Sequence, residues 1–224
     1  MKTNKSELHL FIILTAMFIS ALITCNLIAN KFVEINLGFK TFIVSAGILP
    51  YPLTFLITDI LSEVYGKKMT NKVVASGFFA SMMVLLFLWL GSIAPAIPSS
   101  PISNETFNLV FSNAWRVIAA SMIAYLTAQF LDVKLFHFWK NLTKGRHLWL
   151  RNNASTVGSQ LVDTTLVVCV LFVGVWPSGQ IFQAIIDGWL FKILCAFIDT
   201  PIFYFLSSML KKKFNLKINE EVNL

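Results

Sequence analysis

Charged residues are scarce in this sequence. Asp, Glu, Lys and Arg make up only 13% of the 224 residues, about half the share found in soluble domains, whereas 56% are hydrophobic. This composition excludes an ordinary water-soluble domain and predicts one polytopic membrane domain over residues 1–224. The net charge of +7 comes from Lys and Arg in short segments between apolar runs. That distribution sets membrane orientation and argues against nucleic-acid binding.

Cysteine and histidine are also rare, with three residues of each. Cys25, Cys169 and Cys195 all lie inside apolar runs and form no CxxC pair, so we expect free thiols and no zinc site. The His residues have no ligand-like spacing, and no segment resembles a phosphate-binding loop. We therefore expect neither a metal nor a cofactor.

Long apolar runs are abundant instead. About 20 mainly apolar residues span a bilayer, and six runs meet this need, at 8–29, 41–65, 73–92, 115–138, 154–176 and 181–210. They predict an all-α bundle of six transmembrane helices, with the first helix retained rather than removed as a signal peptide. Pro50 and Pro52 in the second run and Pro201 in the last predict either broken helices beside acidic residues or ordinary kinks.

The placement of Lys and Arg predicts the side of the membrane on which each connection lies. Basic residues precede the first run, separate the second from the third, crowd the connection between the fourth and fifth, and follow the last. Residues 91–114 and 177–180 contain no Lys or Arg, and only Lys31 and Lys40 depart from the pattern. By the positive-inside rule, both termini should lie in the cytoplasm.

The second run carries two carboxylates, Asp59 and Glu63, one helical turn apart. Residues four apart share a helix face, and a charged side chain deep in a bilayer costs about 2.5–3.5 kcal/mol even on the lower scales. Both side chains are therefore expected to face a protein or water-filled interior. The structural alternative pairs Glu63 with Lys67 at the membrane rim and uses Asp59 only to hold helices together.

Three further runs place polar residues at a similar predicted depth. They are Gln129 and Asp132 in the fourth run, Thr156, Gln160, Asp163 and Thr164 in the fifth, and Lys192 and Asp199 in the sixth. These groups could be structural contacts, with Lys192 paired to an acid and amides bridging helices. The excess of acids over the single central Lys192 favours a solute site instead.

The mixture of side chains also limits the solute. Carboxylates accept hydrogen bonds, whereas Asn and Gln both donate and accept them. This combination suits a flat heterocycle with amino, ring N–H and carbonyl groups. Trp149, Trp189 and Tyr204 could add stacking faces, although Trp149 is more typical of an interfacial residue.

Several segments, in order along the chain, carry a family resemblance. They are Asn26–Lys31, Leu53–Lys68 (LTFLITDILSEVYGKK), Arg116–Ser121, Gln129–Val133, Leu148–Thr156, Gln160–Thr164, and Lys192 followed by Asp199–Pro201. On these segments the sequence resembles the queuosine-precursor transporter family, also called the VUT family of integral membrane proteins. The similarity covers nearly the whole chain.

The resemblance implies import of 7-cyano-7-deazaguanine and 7-aminomethyl-7-deazaguanine across the bacterial inner membrane, for salvage of queuosine in tRNA. It implies a transporter rather than an enzyme, with a fold similar to the substrate-binding components of energy-coupling-factor importers. Asn26 and Arg116 match family positions nearer the outside and are expected in gating or packing. Carried over by position, the implied substrate site consists of Asp59, Glu63, Gln129, Asp132, Asn152, Asn153, Gln160, Asp163, Lys192 and Asp199.

The expected partners are the deazaguanine and the lipid bilayer, and no nucleic acid is expected. The sequence does not decide whether the protein forms a homodimer. Three other functions compete. The chain could be the substrate-binding component of an energy-coupling-factor importer with a separate ATPase. It could be an intramembrane aspartyl hydrolase, if Asp59 and Asp163 meet closely enough to share a proton. A structural assembly protein would not explain so many acids at one depth.

Overall fold

The computed structural model describes residues 5–29, 31–38, 40–112, 115–174, 176–217 and 220–222. The protein is mostly helical, with α1 (Lys5–Ile28), α2 (Tyr51–Val64), α3 (Gly66–Ile93), α4 (Asn104–Phe107), α5 (Trp115–Leu142), α6 (Leu148–Phe172) and α7 (Ser178–Lys213). Two antiparallel strands, β1 (Phe32–Asn36) and β2 (Thr41–Ser45), and a 3₁₀ turn at Ala46–Ile48 connect α1 to α2. A π-helical turn at Asn108–Ser112 follows α4.

Four of the described helical segments are long and apolar enough to cross a membrane, at 5–28, 46–64, 66–93 and 178–213. Large apolar side chains such as Phe79, Phe87 and Phe205 are exposed on α3 and α7, as on surfaces that face lipid. These features describe a multi-pass membrane protein. The more polar α5 and α6 are also long enough to span a bilayer, and the complete six-span bundle stays a prediction.

The segment predicted to start the second transmembrane helix is not helical. Residues 41–45 form β2, and the helix begins only at Tyr51. Burial alternates along this strand, because Phe42 is buried against Phe191 of α7 while Ile43 is 67% exposed. In a mostly apolar run, hydropathy alone does not distinguish such a strand from a helix. The prediction of a helix is therefore wrong for residues 41–45.

The prolines of these segments do not break helices. Pro50 and Pro52 lie at the start of α2, where a missing N–H is tolerated because the first N–H groups of a helix have no intrahelical partner. Pro201 lies inside α7, which continues through it to Lys213. Neighbouring groups in membrane helices commonly compensate for the lost hydrogen bond. Of the two alternatives, a broken helix is contradicted at Pro201, and Pro50 and Pro52 lie at a helix start rather than in a helix interior.

Two further helices begin earlier than the apolar runs indicate. α3 starts at Gly66, directly after α2, where the chain turns with φ of +78°, a left-handed conformation that favours glycine. α6 starts at Leu148 and ends at Phe172, whereas its apolar run was 154–176. Residues 151–153 therefore lie inside α6 rather than before it.

α2 is the central element of the bundle. Every residue from Ile57 to Gly66 is buried, and the helix contacts α1, α3, α5 and α7. Its apolar side packs into a core that includes Phe18 of α1, Phe136 of α5 and Phe203 of α7. Because these neighbours enclose α2, its polar side chains must find partners inside the protein.

Candidate functional site

A cleft lies between α2, α6 and α7. Its empty space, counted together with the open mouth, is about 410 Å³. The lining combines apolar, aromatic, amide and charged side chains: Ile48, Tyr51, Pro52, Phe55, Leu56, Asp59, Asn152, Thr156, Gln160, Lys192, Cys195, Ala196 and Asp199. Half of the ten predicted site residues thus line one cleft.

The α2 wall of the cleft carries an acid and two aromatic side chains on one face. Tyr51, Phe55 and Asp59 follow one another at intervals of four residues and all line the cleft, as expected for one helix face. Asp59 is 2% exposed, and no donor among the described residues bonds its Oδ1 atom. Tyr51 and Phe55 were missed as site residues, although their spacing from Asp59 was a usable signal.

Behind Asp59 lies a second buried acid, Asp132 of α5. The two carboxyl groups are close to each other, and the Ser159 hydroxyl of α6 donates to Asp132 Oδ1 at 2.8 Å. No Lys or Arg in the described ranges forms an ion pair with either acid.

Lys192 of α7 is held by an acid and an aromatic ring. Its Nζ atom lies 2.5 Å from Oδ2 of Asp163 on α6 and 4.2 Å from the centre of the Tyr51 ring. Lys192 thus forms the acid pair that the structural alternative required, and Asp163 is its partner. The hydrolase alternative requires Asp59 and Asp163 to lie close enough to share a proton. In the structure the acid beside Asp59 is Asp132, and Asp163 is paired with Lys192.

Asp199 is the second acid that lines the cleft without a counter-charge. It lies on α7 seven residues beyond Lys192 and is only partly buried. Within the part of the chain that the structure describes, its carboxylate has no ion pair and no side-chain hydrogen bond. It is therefore available to a donor that enters the cleft.

Glu63 belongs to a different environment, which we call the sealed end and define as Glu63, Arg151 and Lys211. Arg151 Nη2 donates to Glu63 Oε1 at 3.1 Å, its Nη1 lies 2.9 Å from Oε2, and Lys211 of α7 contacts Oε1. Glu63 and Arg151 are each 1% exposed. The predicted pairing of Glu63 with Lys67 is wrong, because the chain turns at Gly66 and Lys67 no longer lies on the same helix.

Two predicted amide residues are buried but do not line the cleft. The Asn153 side-chain amide donates to the Trp149 carbonyl at 2.9 Å and to Thr200 Oγ1 at 2.8 Å, so it connects α6 to α7. Gln129 lies buried on α5. Asn153, which was predicted to bind substrate, thus has the bridging contact that the structural alternative described.

The predicted stacking and gating residues also lie elsewhere. Trp189 Nε1 donates to the Val157 carbonyl at 3.0 Å, and the Tyr204 hydroxyl accepts from the Trp149 N–H at 2.8 Å. Neither ring lines the cleft, whose aromatic wall is on α2. Asn26 lines a separate cavity of about 220 Å³ with Ser81 and Met122. Arg116 lies in the first turn of α5, and its side chain is outside the described part of the structure.

The apolar helices and the partly polar cleft among them define a polytopic membrane protein. A family model described as "Putative vitamin uptake transporter" matches residues 45–206, a range that includes every residue of the cleft. The chain belongs to this family of transporters.

Two curated relatives are similar over most of their length. The "Probable queuosine precursor transporter" of Bacillus subtilis (strain 168) is 32% identical over 165 residues, which cover 73% of this chain and 72% of the relative. The "Queuosine precursor transporter" of Escherichia coli (strain K12) is 26% identical over 218 residues, which cover 87% and 86%. No solved structure matches the chain significantly.

Proposed function

We propose that this protein imports 7-deazaguanine precursors of queuosine across the bacterial inner membrane through six transmembrane helices, with both termini in the cytoplasm. The family match and the names of the two relatives support the class of substrate. The positive-inside distribution of Lys and Arg supports the orientation. The cleft between α2, α6 and α7 is the proposed binding site.

The proposal rests on the environment of the Asp59 side chain. This carboxylate is buried, lines the cleft, and has no cationic partner in the described ranges. A 7-deazaguanine presents a ring N–H and an adjacent amino group on one edge, and a carboxylate accepts two such parallel hydrogen bonds. Asp163 is less suited to binding this edge of the base, because its carboxylate is already paired with Lys192.

Other cleft residues complement the rest of the base. The side-chain oxygens of Asn152 and Gln160 have no hydrogen-bond partner within the described residues, and the amides can both donate and accept. The rings of Tyr51 and Phe55 supply apolar surface for a flat heterocycle. Together with Asp59 these groups match amino, N–H and carbonyl positions on one planar ligand.

Transport requires the cleft to open on each side of the membrane in turn. In the proposed orientation the sealed end lies on the cytoplasmic side, because it joins the C-terminal ends of α2 and α7 to the beginning of α6. Separation of the Glu63 ion pairs would then open the path to the cytoplasm. The sealed end is the proposed inner gate, and this assigns Glu63 to gating rather than to substrate binding.

The test is uptake of labelled precursor by cells that cannot synthesise it. Asp59→Asn should abolish uptake, because the amide cannot accept both hydrogen bonds, while the protein still inserts in the membrane. Asp187→Asn is the matched control, since Asp187 of α7 pairs with Lys40 away from the cleft. Normal uptake by correctly inserted Asp59→Asn would overturn the proposal.

A second measurement separates this function from that of an energy-coupling-factor component. The purified chain alone should transport the base into liposomes. If uptake appears only after a separate ATPase module is added, the chain is a substrate-binding component.

A further inference from the structure

The charges around the cleft are not balanced. Among the described residues, three acidic or basic side chains line it: Asp59, Lys192 and Asp199. Lys192 is already neutralised by Asp163 at 2.5 Å. Even if Asp59 and Asp132 share one proton, that pair keeps one negative charge. Asp199 adds a second negative charge without a counter-ion.

The two uncompensated acids lie on different walls. Asp59 is on α2 and Asp199 is on α7, about 10 Å along the helix axis from Lys192 at 1.5 Å per residue. A flat ligand bound to Asp59 through one edge would extend from α2 toward the α7 wall. In a 7-deazaguanine the substituent at position 7 is on the five-membered ring, at the opposite end from the edge proposed to bind Asp59.

We propose that Asp199 determines which derivative is preferred, by pairing with a cationic substituent at position 7. This rests on the proposed function. The 7-aminomethyl derivative carries a primary amine that is protonated at neutral pH, as in a Lys side chain, and the ammonium donates three hydrogen bonds. The 7-cyano derivative ends in an acceptor only, so it offers the Asp199 carboxylate neither a charge nor a donor. The transporter therefore prefers the aminomethyl base.

Lys192 does not oppose this preference. Its ammonium is bonded to Asp163 and covers the Tyr51 ring, so the field it exerts on a ligand is offset by its partner. A cation on the ligand thus meets a cleft of net negative charge. A neutral ligand leaves the Asp199 carboxylate partly buried without a counter-charge, which is unfavourable.

The test is equilibrium binding of each labelled base to the purified full-length protein. A hydrogen bond to a charged group contributes about 1.5–3 kcal/mol, so the wild type should bind the aminomethyl base about 10- to 100-fold more tightly than the cyano base. Asp199→Asn should remove this difference by weakening binding of the aminomethyl base alone. Asp199→Glu, which restores the charge, should recover a preference for the cation.

Two controls separate charge from size and from folding. A 7-acetamidomethyl base has a similar substituent without the charge, and it should bind like the cyano base. Asp187→Asn removes another acid from the same helix, outside the cleft, and should leave both affinities unchanged. Equal wild-type affinities for the two bases, or an equal loss of both in Asp199→Asn, would overturn the inference alone. Failure of the wild type to bind any of these bases would overturn the proposed function as well.

Discussion

Asp59 and Glu63 lie one turn apart on α2 and are both almost completely buried, yet their surroundings are opposite. Glu63 contacts two cations at the sealed end. Asp59 contacts another acid and the cleft. Two carboxyl groups on one face of the same helix thus have different roles. The difference comes from α6 and α7, which bring Arg151 and Lys211 to Glu63 only.

This comparison has an energetic consequence. A buried charge that loses its only partner is strongly destabilising, whereas a buried charge that never had one can be removed without that penalty. At the sealed end, Glu63 is the acid that compensates Arg151. At the cleft, Asp59 compensates no described cation. Stability and transport should therefore respond in opposite ways to substitutions at the two acids.

The largest expected effect is on stability at the sealed end. Glu63→Gln leaves the buried Arg151 guanidinium without a counter-charge, so the free energy of unfolding should fall by about 3–5 kcal/mol. Thermal or denaturant unfolding of the purified protein in detergent measures this loss.

Asp59→Asn is the matched comparison for that measurement. It should leave the free energy of unfolding nearly unchanged, because no cation in the described structure loses a partner and the new amide can donate to Asp132. Equal destabilisation by the two substitutions would contradict the distinction between the two regions.

A smaller effect is expected at two neighbouring amides of α6. Asn153→Ala removes the hydrogen bonds to Trp149 and Thr200, so it should lower the free energy of unfolding by about 1–3 kcal/mol. Asn152→Ala, at a residue whose side-chain oxygen lines the cleft without a partner, should instead raise the KM for uptake with little loss of stability. The distinction fails if the two variants behave alike in both assays.

The smallest effect is expected at the C-terminal segment. Glu221 pairs with Lys140 at 2.9 Å; the Lys140 side chain is 5% exposed, but that of Glu221 is 40% exposed, so solvent on the Glu221 side screens the pair. Glu221→Ala should lower the free energy of unfolding by about 1 kcal/mol or less. The backbone bond from the Val222 N–H to the Val64 carbonyl, at 2.8 Å, does not depend on this side chain. Glu220→Ala serves as the control, and a loss from Glu221→Ala as large as that from Glu63→Gln would show that the tail belongs to the sealed end.

Much of the site could be predicted from the sequence, because polar residues within long apolar runs are easily recognised and are expected to be buried inside the protein. Asp59, Gln160, Lys192 and Asp199 stand out in apolar runs, and the structure places all four around one cleft. Tyr51 was missed because aromatic residues are common in membrane helices, although its spacing from Asp59 already placed the two residues on one helix face.

The partners of the charged residues could not be anticipated in the same way. Glu63 and Lys67 have the spacing of a helical ion pair, but a turn at Gly66 separates them. Arg151 and Lys211 are 88 and 148 residues away from Glu63 in the chain. No local pattern relates residues at such separations.

The sequence alone determined that this chain lies in a membrane and that acids on its second apolar run must face inward, because the cost of exposing apolar surface to water or charge to lipid depends on composition and helical periodicity. Only the tertiary structure decided which acid is neutralised and which is left for a ligand. That outcome depends on how α2, α5, α6 and α7 pack, since an ion pair forms only where two side chains come within a few ångströms of each other.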